Sequence, residues 1–376
     1  MVDARDWKPY LDAGLMPADA SARAEREQLL ELLIEVGCSL DEMVAADQRG
    51  RLFGLAGDRL VRPGARALTL GQVAEHVGGD EVLVRRLWRA LGLAGWDSDE
   101  PLASVEDADA LSMPILSASL VGEERVLELA RAVCAALSRV GEATNAIGRA
   151  ASPEGAIAIS GSEVATARYW HGVAPFVPGV GRLLDVMSRH HFELAREHFE
   201  RTQSWDVMSR RMTRLAVGFI DMSGFTAATE DLDEVEFGRL MASFSVQVDE
   251  TVRDLGGRVV KFVGDAAMVV APQPTDLTAI AHQLVTTWAS LGPDLTLHAG
   301  LAYGELLNQD GDFYGRAVNL AARLGALAGP GEILGSALIG EALPSEEWHV
   351  AWLEPRSIRG MADPVVTCSI ERLPPS

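Results

Sequence analysis

The sequence is poor in cysteine and has no long apolar run. Its three cysteines, Cys38, Cys134 and Cys368, lie far apart and form no CxxC pair. This spacing indicates neither a disulfide framework nor a cysteine zinc site, and it predicts buried thiols. No segment approaches the roughly 20 apolar residues that a helix needs to cross a bilayer, and the first residues lack the basic start and apolar stretch of a leader. We therefore expect a cytoplasmic protein without membrane association.

An excess of positive charge is also missing. The chain has 33 Lys and Arg against 54 Asp and Glu, a net charge of −21. Nucleic acid and anionic membranes would repel such a protein at long range, so non-specific binding to either is disfavoured. No Ser- or Pro-rich tract is long enough to predict disorder. At domain sizes of about 100 to 200 residues, the 376 residues predict two folded domains.

The first half of the sequence has the periodicity of helices. Between about residues 21 and 201, apolar residues recur at helical spacing, as in Leu29, Leu30, Leu32 and Leu33. Residues typical of helix starts and stops interrupt this pattern, namely Ser39, Thr69, Asp80, Gly37, Gly78–Gly79 and Pro114. The segment from Arg182 to Met212 predicts a connecting helix. We expect an all-α domain over residues 1–190 and a linker helix over residues 191–213.

The second half mixes strand and helix patterns. In chain order it predicts a strand at Leu215–Ile220, a helix at Glu234–Leu255, a hairpin of Arg258–Phe262 and Ala266–Ala271, a helix at Leu277–Leu291 and a strand at Leu295–Leu301. The order strand, helix, hairpin, helix, strand is that of a ferredoxin-like α+β unit. We therefore predict an α+β catalytic domain over residues 214–373.

Two carboxylates are predicted to meet at one end of this sheet. Asp221 ends the first strand, and Asp265 lies at the tip of the hairpin. Paired carboxylates suit Mg²⁺ or Mn²⁺, which prefer oxygen ligands and leave positions open for phosphate. The turn after Asp221, which includes Phe225 and Thr226, could direct backbone amides at an anion. Either aspartate alone would equally suit an ordinary turn or helix cap.

Lys261 lies beside this predicted metal site. By the period of two in a strand, Lys261, Val263 and Asp265 share one face, and Val260 and Phe262 share the other. The lysine would then project towards the carboxylates instead of into the core. A solvated lysine on an edge strand, which protects against aggregation, is the alternative.

Asn319 and Arg323 are four residues apart in a predicted helix, so their side chains share one face. An arginine there could neutralise charge that develops on a phosphorus during transfer. An ordinary exposed helix pair explains the same spacing equally well.

Three segments in this order and spacing resemble the class III nucleotidyl cyclases: FIDMSGFT at 219–226, KFVGD at 261–265 and DFYGRAVNLAAR at 312–323. The resemblance implies that Asp221 and Asp265 bind two divalent metal ions. It further implies that Lys261 and Asp312 select the base, that Asn319 orients the nucleotide, and that Arg323 stabilises the transition state. All six positions of that family's active site have counterparts here.

The base-selecting pair favours ATP. Adenine presents an acceptor at N1 and a donor amine at N6, which a lysine and an aspartate match respectively, whereas guanine presents the opposite pattern.

The resemblance implies that each site is shared between two catalytic domains, so that a homodimer carries two equivalent sites. Arg359 is a further candidate contact to the pyrophosphate. No P-loop is present, and this chemistry needs none.

The helical half resembles the regulatory domain that precedes the cyclase domain in some actinobacterial enzymes. The resemblance implies that an effector acting on this half shifts the catalytic pair between two states. His190, His191 and His198 lie in the connecting segment, so a proton is one candidate effector and a small ligand is another. Three solvated helix residues are the alternative interpretation of these histidines.

Three other interpretations of the sequence are possible. Residues 69–89 could form a helix-turn-helix with three arginines on its second helix, which would indicate a DNA-binding regulator, although the net charge disfavours it. The GGDEV at 78–82 is similar to a diguanylate cyclase motif, but Asp80 suits a helix N-cap better. A catalytically silent cyclase-like domain used for binding is the third possibility. It would usually have lost one of the six residues.

Overall fold

The computed structural model describes residues 6–17, 19–61, 67–93, 100–151, 160–202, 212–224, 232–289 and 296–374. The chain divides into two compact units, Met1–His190 and His191–Ser376. None of the described helices is both long and apolar enough to cross a membrane.

The first unit is built from helices, as predicted, and its described residues add to them only short 3-10 turns and one isolated bridge between Leu68 and Ala103. The helices are α1 (Lys8–Asp12), α2 (Ala20–Glu35), α3 (Leu40–Gln48), α4 (Leu55–Val61), α5 (Leu70–Val77), α6 (Glu81–Ala90), α7 (Val105–Val121), α8 (Glu123–Ala151), α9 (Glu163–Val173) and α10 (Val177–Thr202), the last of which continues into the second unit.

The predicted helix caps of this unit are confirmed. Ser39, Thr69 and Asp80 each accept a backbone N–H from the first turn of α3, α5 and α6. After α5 the chain leaves the helix through Gly78, whose φ of 64° is readily adopted only without a Cβ. Local chemistry therefore sets where these helices begin and end.

Pro114 does not end a helix, contrary to the prediction. It lies inside α7, which continues to Val121. The buried side chains of α7 are Ala108, Leu111, Ile115 and Ala118, a stripe that runs past the proline on both sides. The carbonyl left without an N–H donor belongs to Ala110, which is exposed and can bind water. Burial of the stripe outweighs the cost of the missing bond.

The connecting helix begins earlier than predicted. It starts at Val177, and Pro178 occupies its first turn, where a missing N–H costs nothing. The described helix ends at Thr202, residues 203–211 lie outside the described part, and a strand starts at Met212. The division into residues 1–190, 191–213 and 214–373 remains a prediction.

The second unit has the predicted ferredoxin-like core. Its elements are β1 (Met212–Ser223), α11 (Glu234–Asp254), β2 (Arg258–Val263), β3 (Ala266–Ala271), α12 (Pro274–Ala289), β4 (Thr296–Gln309), β5 (Asp312–Tyr314), α13 (Arg316–Gly325), β6 (Ile333–Ser336), α14 (Ala337–Gly340), β7 (Trp348–Arg356) and β8 (Val365–Arg372). In the sheet the strands lie in the order β2-β3-β1-β4, with antiparallel neighbours, and the sheet continues through β6, β8 and β7. The predicted α+β fold class is confirmed.

Apolar side chains cover both faces of this sheet. Helices α11 and α12 bury one face, where Phe244 and Leu277 are fully enclosed. On the other face α13 packs with Ala317 and Ala321 against Val217 and Met268.

Strand β4 is longer than predicted. It extends to Gln309 instead of Leu301, because β1 pairs with it from Thr296 to Leu307. It then turns at Asp310–Gly311 into β5, which pairs back along Leu307–Gln309. This hairpin brings β5 over the same face as α13.

Candidate active site

The two predicted metal ligands lie next to each other. Asp221 on β1 pairs with Ala266 on β3, and Asp265 is the residue before Ala266 in the β2–β3 turn. Burial raises the pKa of Asp221, and the negative charge of Asp265 raises it further. The fold therefore holds two carboxylates close enough to repel each other.

This donor set fits a divalent cation. Mutual repulsion between half-buried carboxylates is relieved when a cation lies between them, and carboxylate oxygens are the ligands that Mg²⁺ and Mn²⁺ prefer. Among the described residues, no group of three or more His, Cys, Asp or Glu side chains could enclose a metal ion. Mg²⁺ that binds a nucleotide usually takes its other ligands from water and phosphate oxygens.

Lys261 and Asp312 form a direct ion pair. Nζ of Lys261 donates to Oδ2 of Asp312, and Oδ1 of Asp312 accepts the N–H of Phe313 at 2.8 Å. The pair joins β2 to β5 because the β4–β5 hairpin folds over the sheet, with Arg258 on β2 lying 5.0 Å from the centre of the Phe313 ring. One cation and one anion separated by 51 positions in sequence are thereby presented together, and both remain partly exposed.

The predicted alternation along β2 is interrupted. The register of β2 against β3 shifts between Val259 and Lys261. Val260 therefore packs on the face covered by α13, whereas Phe262 contacts Phe244 on the opposite face. The period of two had predicted that Val260 and Phe262 share a face. They do not, because Val260 is the extra residue of a bulge between Val259 and Lys261.

Asn319 and Arg323 lie one turn apart on α13. Asn319 is exposed, whereas Nη1 of Arg323 is buried and has no hydrogen-bond partner among the described residues. The end of α13 is pressed against β4, since a Cβ on Gly300 would lie 1.9 Å from the nitrogen of Gly325. This close approach fixes the position of the turn that carries Arg323.

The loop between β7 and β8 covers Arg323. A Cβ on Gly360 would lie 2.8 Å from Nη2 of Arg323, so the guanidinium rests on a backbone without a side chain. Arg359, the candidate pyrophosphate contact, is exposed on the same loop. Phe225 and Thr226 lie outside the described residues. The predicted roles of all nine site residues stay predictions.

Replacing Gly360 by alanine should lower activity chiefly by displacing Arg323. We expect a loss of about 10- to 100-fold in kcat, because a shift of about 1 Å in a reacting group can cost that much. The backbone strain of alanine at a φ of 75° should cost a further 1–2 kcal/mol or so of stability.

Gly331→Ala is the matched control. Gly331 has a φ of 78°, but a Cβ there meets nothing within 4 Å. The Gly331→Ala variant should lose about as much stability as Gly360→Ala, but its kcat should not change. Equal loss of turnover in the two variants, measured beside their melting temperatures, would show that strain alone is responsible.

Sequence reasoning missed two polar residues beside Asp221. His298 on β4 is directly opposite Asp221 and is only 8% exposed, and Ser223 lies two residues beyond Asp221 on β1. The sequence contained one signal of such a site, because His298 interrupts the otherwise apolar run of β4. That His298 lies opposite Asp221 could not be predicted without knowing the register of β4 against β1.

The helix-turn-helix candidate is part of the helical core. Helices α5 and α6 pack together through Val73, Val84 and Leu87. Arg86 on α6 donates to Glu123 at 2.8 Å and also bonds Glu124. Asp80 is the N-cap of α6, as expected for a structural role. These contacts within the chain disfavour the DNA-binding interpretation.

Comparison with known proteins gives the family. A family model of the adenylate cyclase regulatory domain matches residues 5–193. The chain is 38% identical over 374 residues to an uncharacterised protein of Mycobacterium tuberculosis, covering 100% of this chain and 96% of the relative. It is 28% identical over 368 residues to a pH-sensitive adenylate cyclase of the same species, covering 94% and 89%. The solved adenylyl cyclase CyaB from P. aeruginosa matches with a TM-score of 0.39 and 22% identity, over 43% of this chain and 95% of that one.

The helical first unit and the ferredoxin-like second unit follow in the order expected of a nucleotidyl cyclase with a regulatory domain. This chain belongs to the class III adenylate cyclases of the actinobacterial type, in which a helical regulatory domain precedes the catalytic domain.

Proposed function

We propose that the protein converts ATP to 3′,5′-cyclic AMP and pyrophosphate at sites shared between two identical chains, under control of its helical domain. The observation that carries the proposal is the ion pair of Lys261 with Asp312 on the same unit as the paired carboxylates of Asp221 and Asp265. The first pair has side chains suited to recognising a base, and the second has side chains suited to binding the metal ions of phosphate chemistry.

The choice of ATP rests on hydrogen-bond matching. The Lys261 ammonium can donate to N1 of adenine, and the Asp312 carboxylate can accept from its N6 amine. Against guanine, the ammonium would face the N1–H donor and the carboxylate would face the O6 acceptor. Buried mismatches of this kind typically cost several kcal/mol.

Asp221 and Asp265 would hold the metal ions, proposed as two Mg²⁺ or Mn²⁺ per site. Bound there, such ions supply Lewis acidity to the ribose 3′-hydroxyl and neutralise phosphate charge. In the reaction the 3′-hydroxyl gives up its proton to solvent water and its oxygen forms a bond to the α-phosphorus. The bond from that phosphorus to the oxygen that bridges the α- and β-phosphates breaks, and pyrophosphate leaves. Asn319 orients the ribose. Arg323, whose Nη1 has no partner among the described residues, can donate to the phosphate oxygens in the transition state.

A second copy of the chain would complete each site. Asn319 and Arg323 lie on α13, whereas the acidic pair lies near the end of β1 and in the β2–β3 turn. A two-fold axis would let each chain supply what the other lacks. Exposed apolar side chains at helical spacing on α8 also indicate a surface that packs against another chain, namely Leu129, Val133, Leu137, Val140 and Ile147.

The helical unit is proposed to regulate this activity. The effector is a proton or a small ligand acting on residues 1–190. His190 and His191 are exposed on α10, and His76 lies 2.7 Å from Asp109 across α5 and α7. A change of charge on an imidazole would alter the contacts of these side chains, and acidification is proposed to reach the catalytic unit in this way.

The first test is product formation by the full-length protein. Purified enzyme is offered ATP and GTP separately, with Mg²⁺ or Mn²⁺, from about pH 5 to about pH 8, the range in which histidine titrates. We expect cyclic AMP from ATP, little cyclic GMP, and a rate that depends on pH. Absence of any cyclic nucleotide under all conditions would reject the catalytic proposal and favour a silent binding domain.

A further inference from the structure

His298 is buried among strands where an ionisable side chain needs a reason. It is 8% exposed and lies on β4 in the centre of the sheet. The other buried polar side chains among the described residues are serines and threonines. Burying an imidazole without polar partners is costly, so its contacts should show what it does.

Both ring nitrogens of His298 face polar atoms. Nδ1 lies 2.7 Å from Oγ of Ser223, a hydrogen bond in which either atom could donate. Nε2 lies 3.8 Å from Oδ2 of Asp221. A carboxylate beside Nε2 favours the tautomer with a proton on that nitrogen, so Nδ1 accepts and the Ser223 hydroxyl donates.

These contacts restrict the carboxylate of Asp221 from two sides. Its Oδ1 accepts the N–H of Met222 at 3.0 Å, and its Oδ2 faces the imidazole. A separation of 3.8 Å is too long for a hydrogen bond but short enough for a favourable electrostatic interaction. The lone pairs of Oδ2 therefore stay available to bind a cation, while the orientation of the carboxylate is restricted.

The backbone makes this arrangement rigid. Asp221 and His298 are paired across β1 and β4, and Ser223 is on the same face as Asp221, two residues along β1. Cross-strand neighbours on one face are held about 5 Å apart by the ladder itself. The three side chains therefore form a chain of contacts from Ser223 through His298 to Asp221.

We infer that His298, held by Ser223, is a positioning residue that fixes the Asp221 carboxylate for binding a divalent cation. The inference rests on the proposed role of Asp221 in metal binding. Residues that orient a metal ligand in this way usually contribute about 10- to 100-fold to metal affinity.

The test measures Mn²⁺ binding by full-length protein, using the electron paramagnetic resonance signal of free Mn²⁺ with and without α,β-methylene-ATP. His298→Ala should weaken Mn²⁺ binding about tenfold. His298→Gln, whose amide nitrogen takes the place of Nε2, should retain most of the affinity. His298→Asn, which replaces only Nδ1, should lose as much as alanine. Ser223→Ala should weaken binding, and Ser223→Thr should restore it.

His349→Gln, an exposed histidine on β7, is the matched control and should bind Mn²⁺ as the natural protein does. Unchanged affinity in folded His298→Gln, His298→Asn and Ser223→Ala would overturn the inference, as would equal losses in the first two. If His298→Ala fails to fold, those three variants still decide the question. Natural protein that binds no Mn²⁺ would reject the metal role and the positioning role together.

The measurement separates this inference from the proposed function. Protein that binds Mn²⁺ in a manner dependent on His298 but forms no cyclic AMP would contradict the catalytic proposal and support the positioning role. In active protein, the Mn²⁺ concentration for half-maximal rate should rise about tenfold in His298→Ala, with little change in KM for ATP. A general loss of structure would move both constants.

Discussion

Two inactive variants should restore activity when they are combined in one dimer. Asp265→Asn removes a proposed metal ligand and Arg323→Ala removes the guanidinium, and each alone should lose at least about 100-fold in kcat. If a site takes its carboxylates from one chain and Arg323 from the other, a mixed dimer has one site with both changes and one intact site. Its activity should be about half that of the natural dimer.

The mixed dimers can be isolated by co-expressing the two variants with different tags and purifying on both in turn. A dimer of Asp221→Asn with Asp265→Asn is the matched control, because both changes then affect the same side of the interface and no intact site forms. It should stay inactive. If the Asp265→Asn and Arg323→Ala dimer is equally inactive, the site is not shared in the proposed way.

Exchanging Lys261 and Asp312, the proposed base-selecting pair, should change the preferred nucleotide. In the variant Lys261→Glu with Asp312→Ser, the carboxylate can accept from N1–H of guanine and the hydroxyl can donate to O6. We expect the ratio of kcat/KM for GTP to that for ATP to rise at least about 100-fold, since polar mismatches in a binding site discriminate strongly. Cyclic AMP and cyclic GMP are quantified after separation by chromatography.

The same exchange at an unrelated ion pair provides the control. Arg253 and Asp249 form an exposed pair one turn apart on α11, so Arg253→Glu with Asp249→Ser alters charge equally without touching the proposed base site. Its nucleotide preference should not change. A preference that also stays unchanged in the Lys261 and Asp312 double variant would mean that these residues do not read the base.

Local signals predicted much of the fold. Caps at Ser39, Thr69 and Asp80 are confirmed, because a side chain bonding a backbone N–H within three residues depends only on neighbouring positions. The prediction that Pro114 ends a helix was wrong. A proline removes one backbone hydrogen bond, and the burial of apolar side chains along the whole of α7 outweighs that loss. Strand β4 was predicted too short, because its length follows from pairing with β1 and β5.

The sequence by itself determined the fold class, which follows from the periodicity of apolar residues. It also determined the three motifs that resemble the family, because each motif is a short run of neighbouring residues. Only the tertiary structure decided that Lys261 meets Asp312, that Arg323 rests on Gly360, and that His298 stands opposite Asp221. These contacts depend on strand register, on the bulge in β2 and on the approach of Gly300 to Gly325. Each is set by the packing of segments far apart in the chain, which no local pattern encodes.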